Sequence, residues 1–122
     1  MSKKVLIVED YDDARDFMQL LVEGYGYETV TATNGNEAVE LAKKELPDLI
    51  LMDIAMPDMD GLTATKIIKS SSDITKTPIV AVSAYGQALC KEAMHAGCDD
   101  VITKPIDFDS LLPVLNHYLG HY

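Results

Sequence analysis

The sequence is short of basic residues, short of cysteine and without any long apolar run, and each shortage closes off a class of function. Ten Lys and Arg stand against twenty Asp and Glu, a formal charge of −10 over 122 residues. Such a surface repels phosphate backbones, so no direct binding to nucleic acid is expected. The longest apolar runs, among them Val5 to Val8 and Leu49 to Met52, fall far below the roughly 20 residues that cross a bilayer, so no membrane partner is expected. No basic segment followed by a long apolar stretch opens the chain, which argues against a secretory signal and for a cytoplasmic protein. Cys90 and Cys98 are the only cysteines. On one helix they would lie about 12 Å apart along its axis, too far for a disulfide, and they read as free, inert thiols. Neither a Gly-x-x-x-x-Gly-Lys loop nor a Gly-x-Gly-x-x-Gly turn follows the first apolar run, so a nucleotide site is not indicated.

What is present is a globular balance, 48% hydrophobic and 25% charged. The length suits one domain spanning residues 1–122, able to bury its own core. Short apolar runs at Val5 to Val8, Glu28 to Thr33, Leu49 to Met52, Pro78 to Val82 and Val101 to Thr103 predict five strands. Three are almost continuously apolar, which suits a parallel sheet covered on both faces. Between them, Ala14, Phe17, Met18, Leu21, Val22 and Tyr25 share one helical face, ahead of the stop signals Gly24 and Gly26. Asn34 with Glu37 resembles a capping box and opens a helix through Leu46 that Pro47 closes. A third helix follows Gly61 and ends in Ser70, Ser71 and Ser72. A fourth carries Leu89, Ala93, Met94 and Ala96 and stops at Gly97. A fifth runs from about Asp107 to Leu119, with Pro113 predicting a late start or a bend. Five βα units joined by right-handed connections give an α/β, flavodoxin-like doubly wound (βα)5 fold with a five-stranded parallel sheet in the order 2-1-3-4-5.

That topology places a ligand site beyond the carboxyl ends of the strands, where the winding reverses. Glu9 and Asp10 leave the end of strand one and Asp53 the end of strand three. Carboxylates gathered there repel one another and need a cation; Mg²⁺ prefers oxygen donors and accepts one or two carboxylates together with phosphate oxygens. Ser83 at the end of strand four adds a hydroxyl, and Lys104 at the end of strand five an ammonium. A metal, a lysine and a hydroxyl around one central carboxylate, Asp53, are what phosphoryl transfer requires.

Val5-Leu6-Ile7-Val8-Glu9-Asp10, Met52-Asp53 with Met56-Pro57 and Gly61, Val82-Ser83-Ala84 and Lys104-Pro105 together make the chain resemble the response-regulator receiver family over its whole length. The resemblance implies a stand-alone, chemotaxis-regulator-like switch of two-component signalling. Asp53 would accept a phosphoryl group from a phosphohistidine on a sensor histidine kinase or histidine phosphotransfer protein. It would then signal to a downstream protein or relay the group. In this reading the chain is not an enzyme but a switch that assists its own phosphorylation and dephosphorylation. Asp10 would bind Mg²⁺ directly, Glu9 mainly through water, Asp53 as a ligand, and Ala55 through its backbone carbonyl, with Mn²⁺ as a substitute ion. Ser83 and Lys104 would each hold a phosphoryl oxygen, and the peptide bond before Pro105 would be cis. One departure stands out. Three residues before Lys104, where the family usually places Tyr or Phe as a rotamer switch, this chain has Val101.

Competing readings are weaker. An aspartyl-phosphate phosphatase needs a second Asp where Ala55 stands. A binding module that never handles phosphate would have no need to retain Glu9, Asp10, Asp53, Ser83 and Lys104. Asp58, Asp60 and Gly61 read as a turn and helix start, outside the site. His95, His117 and His121 lack metal-site spacing and are given no role.

Overall fold

A computed structural model describes residues 3–54, 60–72, 74, 76–84 and 90–120. Five strands alternate with five helices: β1 (Lys4–Val8), α1 (Asp12–Gly24), β2 (Glu28–Ala32), α2 (Gly35–Glu45), β3 (Leu49–Asp53), α3 (Gly61–Lys69), β4 (Ile79–Ser83), α4 (Cys90–Ala96), β5 (Asp100–Thr103) and α5 (Phe108–Leu119). The strands pair in parallel in the order β2-β1-β3-β4-β5, the expected doubly wound arrangement. β1 and β3 are neighbours, Val8 lying opposite Met52 and Asp53 opposite Val82.

β3 and β4 are buried at every residue, which explains their unbroken apolar reading. Alternate side chains serve opposite faces. Leu6, Val8, Ile50, Met52, Ile79 and Ala81 pack with Ala38, Ala42, Ala64, Ile68 and Ala93 of α2, α3 and α4. Val5, Ile7, Leu49, Leu51, Val80 and Val82 pack with Met18, Leu21 and Val22 of α1 and with Leu111 and Leu115 of α5. Truncating one of these leucines to Ala removes about 2–5 kcal/mol. β2 and β5, each paired on one side only, are more exposed, as their mixed sequences indicate. Among the described residues no helix is long and apolar enough to cross a membrane.

Side-chain caps fix the starts of α2, α3 and α5. Asn34 accepts from the Glu37 N–H at 2.9 Å, as expected, but Glu37 turns its carboxylate to the Thr33 N–H at 2.7 Å rather than to Asn34, so the box is displaced by one residue. α2 ends at Glu45 rather than running through Leu46, which adopts the left-handed conformation with φ 49°. α5 runs over Phe108–Leu119, in the range expected, and the late start that Pro113 suggested does not occur. Asp107 and Ser110 close a capping box that sets its start, and Pro113 sits inside the helix with its side chain exposed. Phe17, expected on the buried face of α1, is 49% exposed, because Met18, Leu21 and Val22 already fill the stripe against the sheet. Cys98 is free and buried. Leu89, assigned to the fourth helix, lies outside the described residues.

Candidate functional site

Parallel pairing puts the carboxyl ends of all five strands on one edge of the sheet, and the chemistry-bearing residues follow. Asp53 is the last residue of β3 and Ser83 the last of β4. Glu9 follows β1 directly and Lys104 follows β5. The Lys104 backbone N–H donates to the Ser83 carbonyl at 2.8 Å and the Glu9 N–H to the Ala32 carbonyl at 3.0 Å, so the ladder holds these positions one residue past the strands. The Lys104-Pro105 peptide bond is cis, as expected.

Glu9 is 1% exposed, Asp53 3% and Ser83 1%, whereas Asp10 is exposed. One carboxylate oxygen from each of Glu9, Asp10 and Asp53 lies within 4.8 Å of the others. Lys104 Nζ reaches into this group, 2.7 Å from Glu9 Oε1 and 3.5 Å from Asp53 Oδ2. The Tyr11 N–H donates to Glu9 Oε2 at 3.2 Å. Burial by itself pushes the Glu9 carboxyl up. The Lys104 ammonium, the Tyr11 N–H and the contact with Asp53 outweigh that and hold it below the ordinary carboxylate value. Burial likewise pushes Lys104 down, and its contacts with Glu9 and Asp53 more than reverse this, so it stays protonated. Glu9 and Lys104 therefore rest as an ion pair, with the lysine charge also close to Asp53.

The donor set fits a hard divalent cation. Three carboxylates at one edge of the sheet, two of them buried, supply oxygen ligands. Glu9 Oε1 is paired with Lys104 at 2.7 Å, and one ammonium offsets only part of the charge that three gathered carboxylates would carry. Ala55, expected to add a carbonyl ligand, lies outside the described residues, as do Met56, Pro57 and Asp58. Asp60 is the N-cap of α3, accepting from the Thr63 N–H at 2.8 Å, in keeping with the turn reading.

Two residues bear on the site beyond what the sequence indicates: Gly61, expected only in a turn outside it, and Arg15, given no role. Gly61 packs against the end of β3 so closely that a Cβ there would overlap the Asp53 carbonyl oxygen and stand 2.6 Å from Ile54 Cα. Arg15 donates from Nη1 to the Glu9 carbonyl at 3.0 Å. The Asp-Gly pair soon after a strand ending in Asp was a signal for the first. For the second, a basic residue in the acidic first turns of α1 was the available clue.

A family profile described as the response regulator receiver domain matches residues 5–116. The chain belongs to the response regulator receiver family. It is 39% identical over 121 residues to the polar-differentiation response regulator DivK of Brucella anthropi, with 98% of each protein covered. In fold it is similar to the receiver domain of the sensor histidine kinase PA1611 from Pseudomonas aeruginosa, solved with a magnesium ion coordinated in the active site cleft. The TM-score is 0.91 and the identity 28%, over 98% of this chain and 99% of that one. It also resembles the receiver domain of Ssk1 from Saccharomyces cerevisiae, crystallised with the histidine phosphotransfer protein Ypd1. Here the TM-score is 0.89 and the identity 26%, over 96% and 88% of the two chains. The receiver family assigns this chain a phosphoaccepting role in two-component signalling.

Proposed function

We propose that Asp53 is the phosphoacceptor of a stand-alone, single-domain regulator working in the cytoplasm, and that its donor is a phosphohistidine on a sensor kinase or histidine phosphotransfer protein. The observation that carries this is the convergence of Glu9, Asp10, Asp53 and Lys104 on one edge of the sheet. An Asp53 carboxylate oxygen attacks phosphorus as the bond to the donor imidazole nitrogen breaks, and the electron pair leaves with the imidazole. Lys104 moves its charge from the resting carboxylates toward a phosphoryl oxygen, and the Ser83 hydroxyl donates to another. Asp10, Asp53 and the Ala55 carbonyl would hold Mg²⁺, with Glu9 acting through water, and the bound ion would neutralise charge on the transferring group; Mn²⁺ would serve similarly. Later attack by water releases inorganic phosphate, so the domain turns over its own modification and acts on no separate substrate.

Exposed Tyr11, Phe17 and Leu20 on and before α1 give a donor protein an apolar surface beside the site. The test is intact mass after incubation with Mg²⁺ and acetyl phosphate. One phosphoryl gain is expected in the parent and none in Asp53→Asn. Equal labelling of the two would overturn the assignment.

A further inference from the structure

Arg15 is the only arginine of the sequence, and it stands near the N-terminus of α1. That is the wrong end of a helix for a cation, since the exposed N–H groups there carry partial positive charge. The helix macrodipole therefore does not account for it. Its side chain is only 16% exposed and both arms of the fork are engaged. Nη1 donates to the Glu9 backbone carbonyl at 3.0 Å, and Nη2 donates to Asp12 Oδ1 at 2.6 Å. The Arg15 N–H donates to the Tyr11 carbonyl at 2.9 Å. That backbone bond is the ordinary first-turn bond of α1, but the side chain itself grips the chain at 9 and 12, on both sides of Asp10.

Asp10 needs such help. Glu9 and Asp53 are buried and held by the sheet, but Asp10 is exposed and lies beyond the last ladder position of β1. Its carboxylate still comes within 4.8 Å of theirs. We propose that Arg15 is a positioning residue for the cation site. It fixes the curve of residues 9–12 so that Asp10 is presented beside Glu9 and Asp53 before any ion arrives. This rests on reading the three acids as the Mg²⁺ site. A planar fork can span a carbonyl and a carboxylate at fixed angles; a lysine ammonium is a single point donor and cannot hold both in the same way. Electrostatics alone makes the opposite forecast, because deleting a positive charge near an acidic cluster should tighten a cation.

The sign of the effect separates the two accounts. Mg²⁺ alone would be titrated calorimetrically into the full chain at fixed ionic strength, using the parent, Arg15→Met, Arg15→Lys and Asp10→Asn. Circular dichroism would establish that each is folded. Arg15→Met is expected to weaken Mg²⁺ about tenfold, the scale of residues that orient ligands without touching the ion. Arg15→Lys should recover only a minor part, although it restores the charge. The Mg²⁺ concentration that half-saturates labelling by acetyl phosphate should rise in parallel. Unchanged or tighter binding in Arg15→Met, or full recovery in Arg15→Lys, would overturn the proposal. If Arg15→Met does not fold, Arg15→Lys decides alone: weakened binding supports the clasp and parental binding removes it. If Asp10→Asn binds Mg²⁺ as the parent does, the reading of the site itself fails and the proposal falls with it. Sensitivity to Asp10→Asn without sensitivity at Arg15 defeats the proposal alone.

Discussion

Gly61 shows how a residue without a side chain can govern one with chemistry. Its absent Cβ leaves room for the Asp53 carbonyl, and its own carbonyl accepts from the buried Thr65 hydroxyl at 2.7 Å within the first turn of α3. Gly61→Ala would force that backbone apart. We expect a loss of about 1–3 kcal/mol in urea unfolding, the usual cost of overpacking, together with slowed labelling of a displaced Asp53. Parental stability and labelling rate would show that the contact yields easily. Glu9, Asp10, Asp53, Ser83 and Lys104 were legible in the sequence because each bears a reactive group directly after an apolar run, and the topology rule says where such ends meet. Gly61 and Arg15 were not, because their parts depend on distances between elements far apart in the chain, and neither bears a group that would react.

Among elements, the strands and their order were legible almost throughout, since buried parallel strands announce themselves as unbroken apolar runs. Helix ends were less so. α5 was expected to start late or bend on account of Pro113, yet the Asp107 and Ser110 box sets its start and the helix carries the proline within it. Proline there removes one backbone donor. Pro113→Ala should therefore stabilise the protein, by about 1–2 kcal/mol after allowing for the freer unfolded chain, read as a raised urea midpoint. A lowered midpoint would mean that the proline relieves a packing conflict. The box also has a pH signature. The Ser110 N–H, ahead of other contacts, holds the Asp107 carboxyl below its ordinary 3.8. A group held low binds protons less readily folded than unfolded, so its stabilisation is complete above pH 3.8 and drains away as pH falls through the lower folded value. Asp107→Asn keeps the cap but cannot titrate. The melting-temperature advantage of the parent over Asp107→Asn should shrink below pH 3.8, and a constant difference would count against the depressed carboxyl.

For the whole molecule, the question is how a change at the sheet edge reaches a partner. Val101 lies on β5 opposite Ala81 and packs, half-buried, against the cluster shared by α2, α3 and α4. A β-branched side chain with one favoured torsion cannot swing between two positions as a ring can. Transmission should therefore depend on Ser83 and the loop it opens. Amide-shift mapping by NMR, with a beryllofluoride mimic of the phosphoryl group and Mg²⁺, is expected to show changes around Ser83 and over residues 100–110. These should persist in Val101→Ala and diminish in Ser83→Ala. The reverse order would make position 101 the main switch.

The proposed acceptor and its counter-charge enter the chain far apart, Asp53 at the end of β3 and Lys104 after β5, and this bears on events during synthesis. A chain emerging from the ribosome exposes Asp53 while the strand that brings Lys104 beside it is still to be made. Until β5 has zipped onto β4, the acids stand together without their lysine and repel one another. On this reading, competence to take a phosphoryl group appears abruptly and late, with the final strand. Half-made chains, and chains cut before Lys104, are poor drains on the donor's supply, so the pathway is shielded from its own unfinished products.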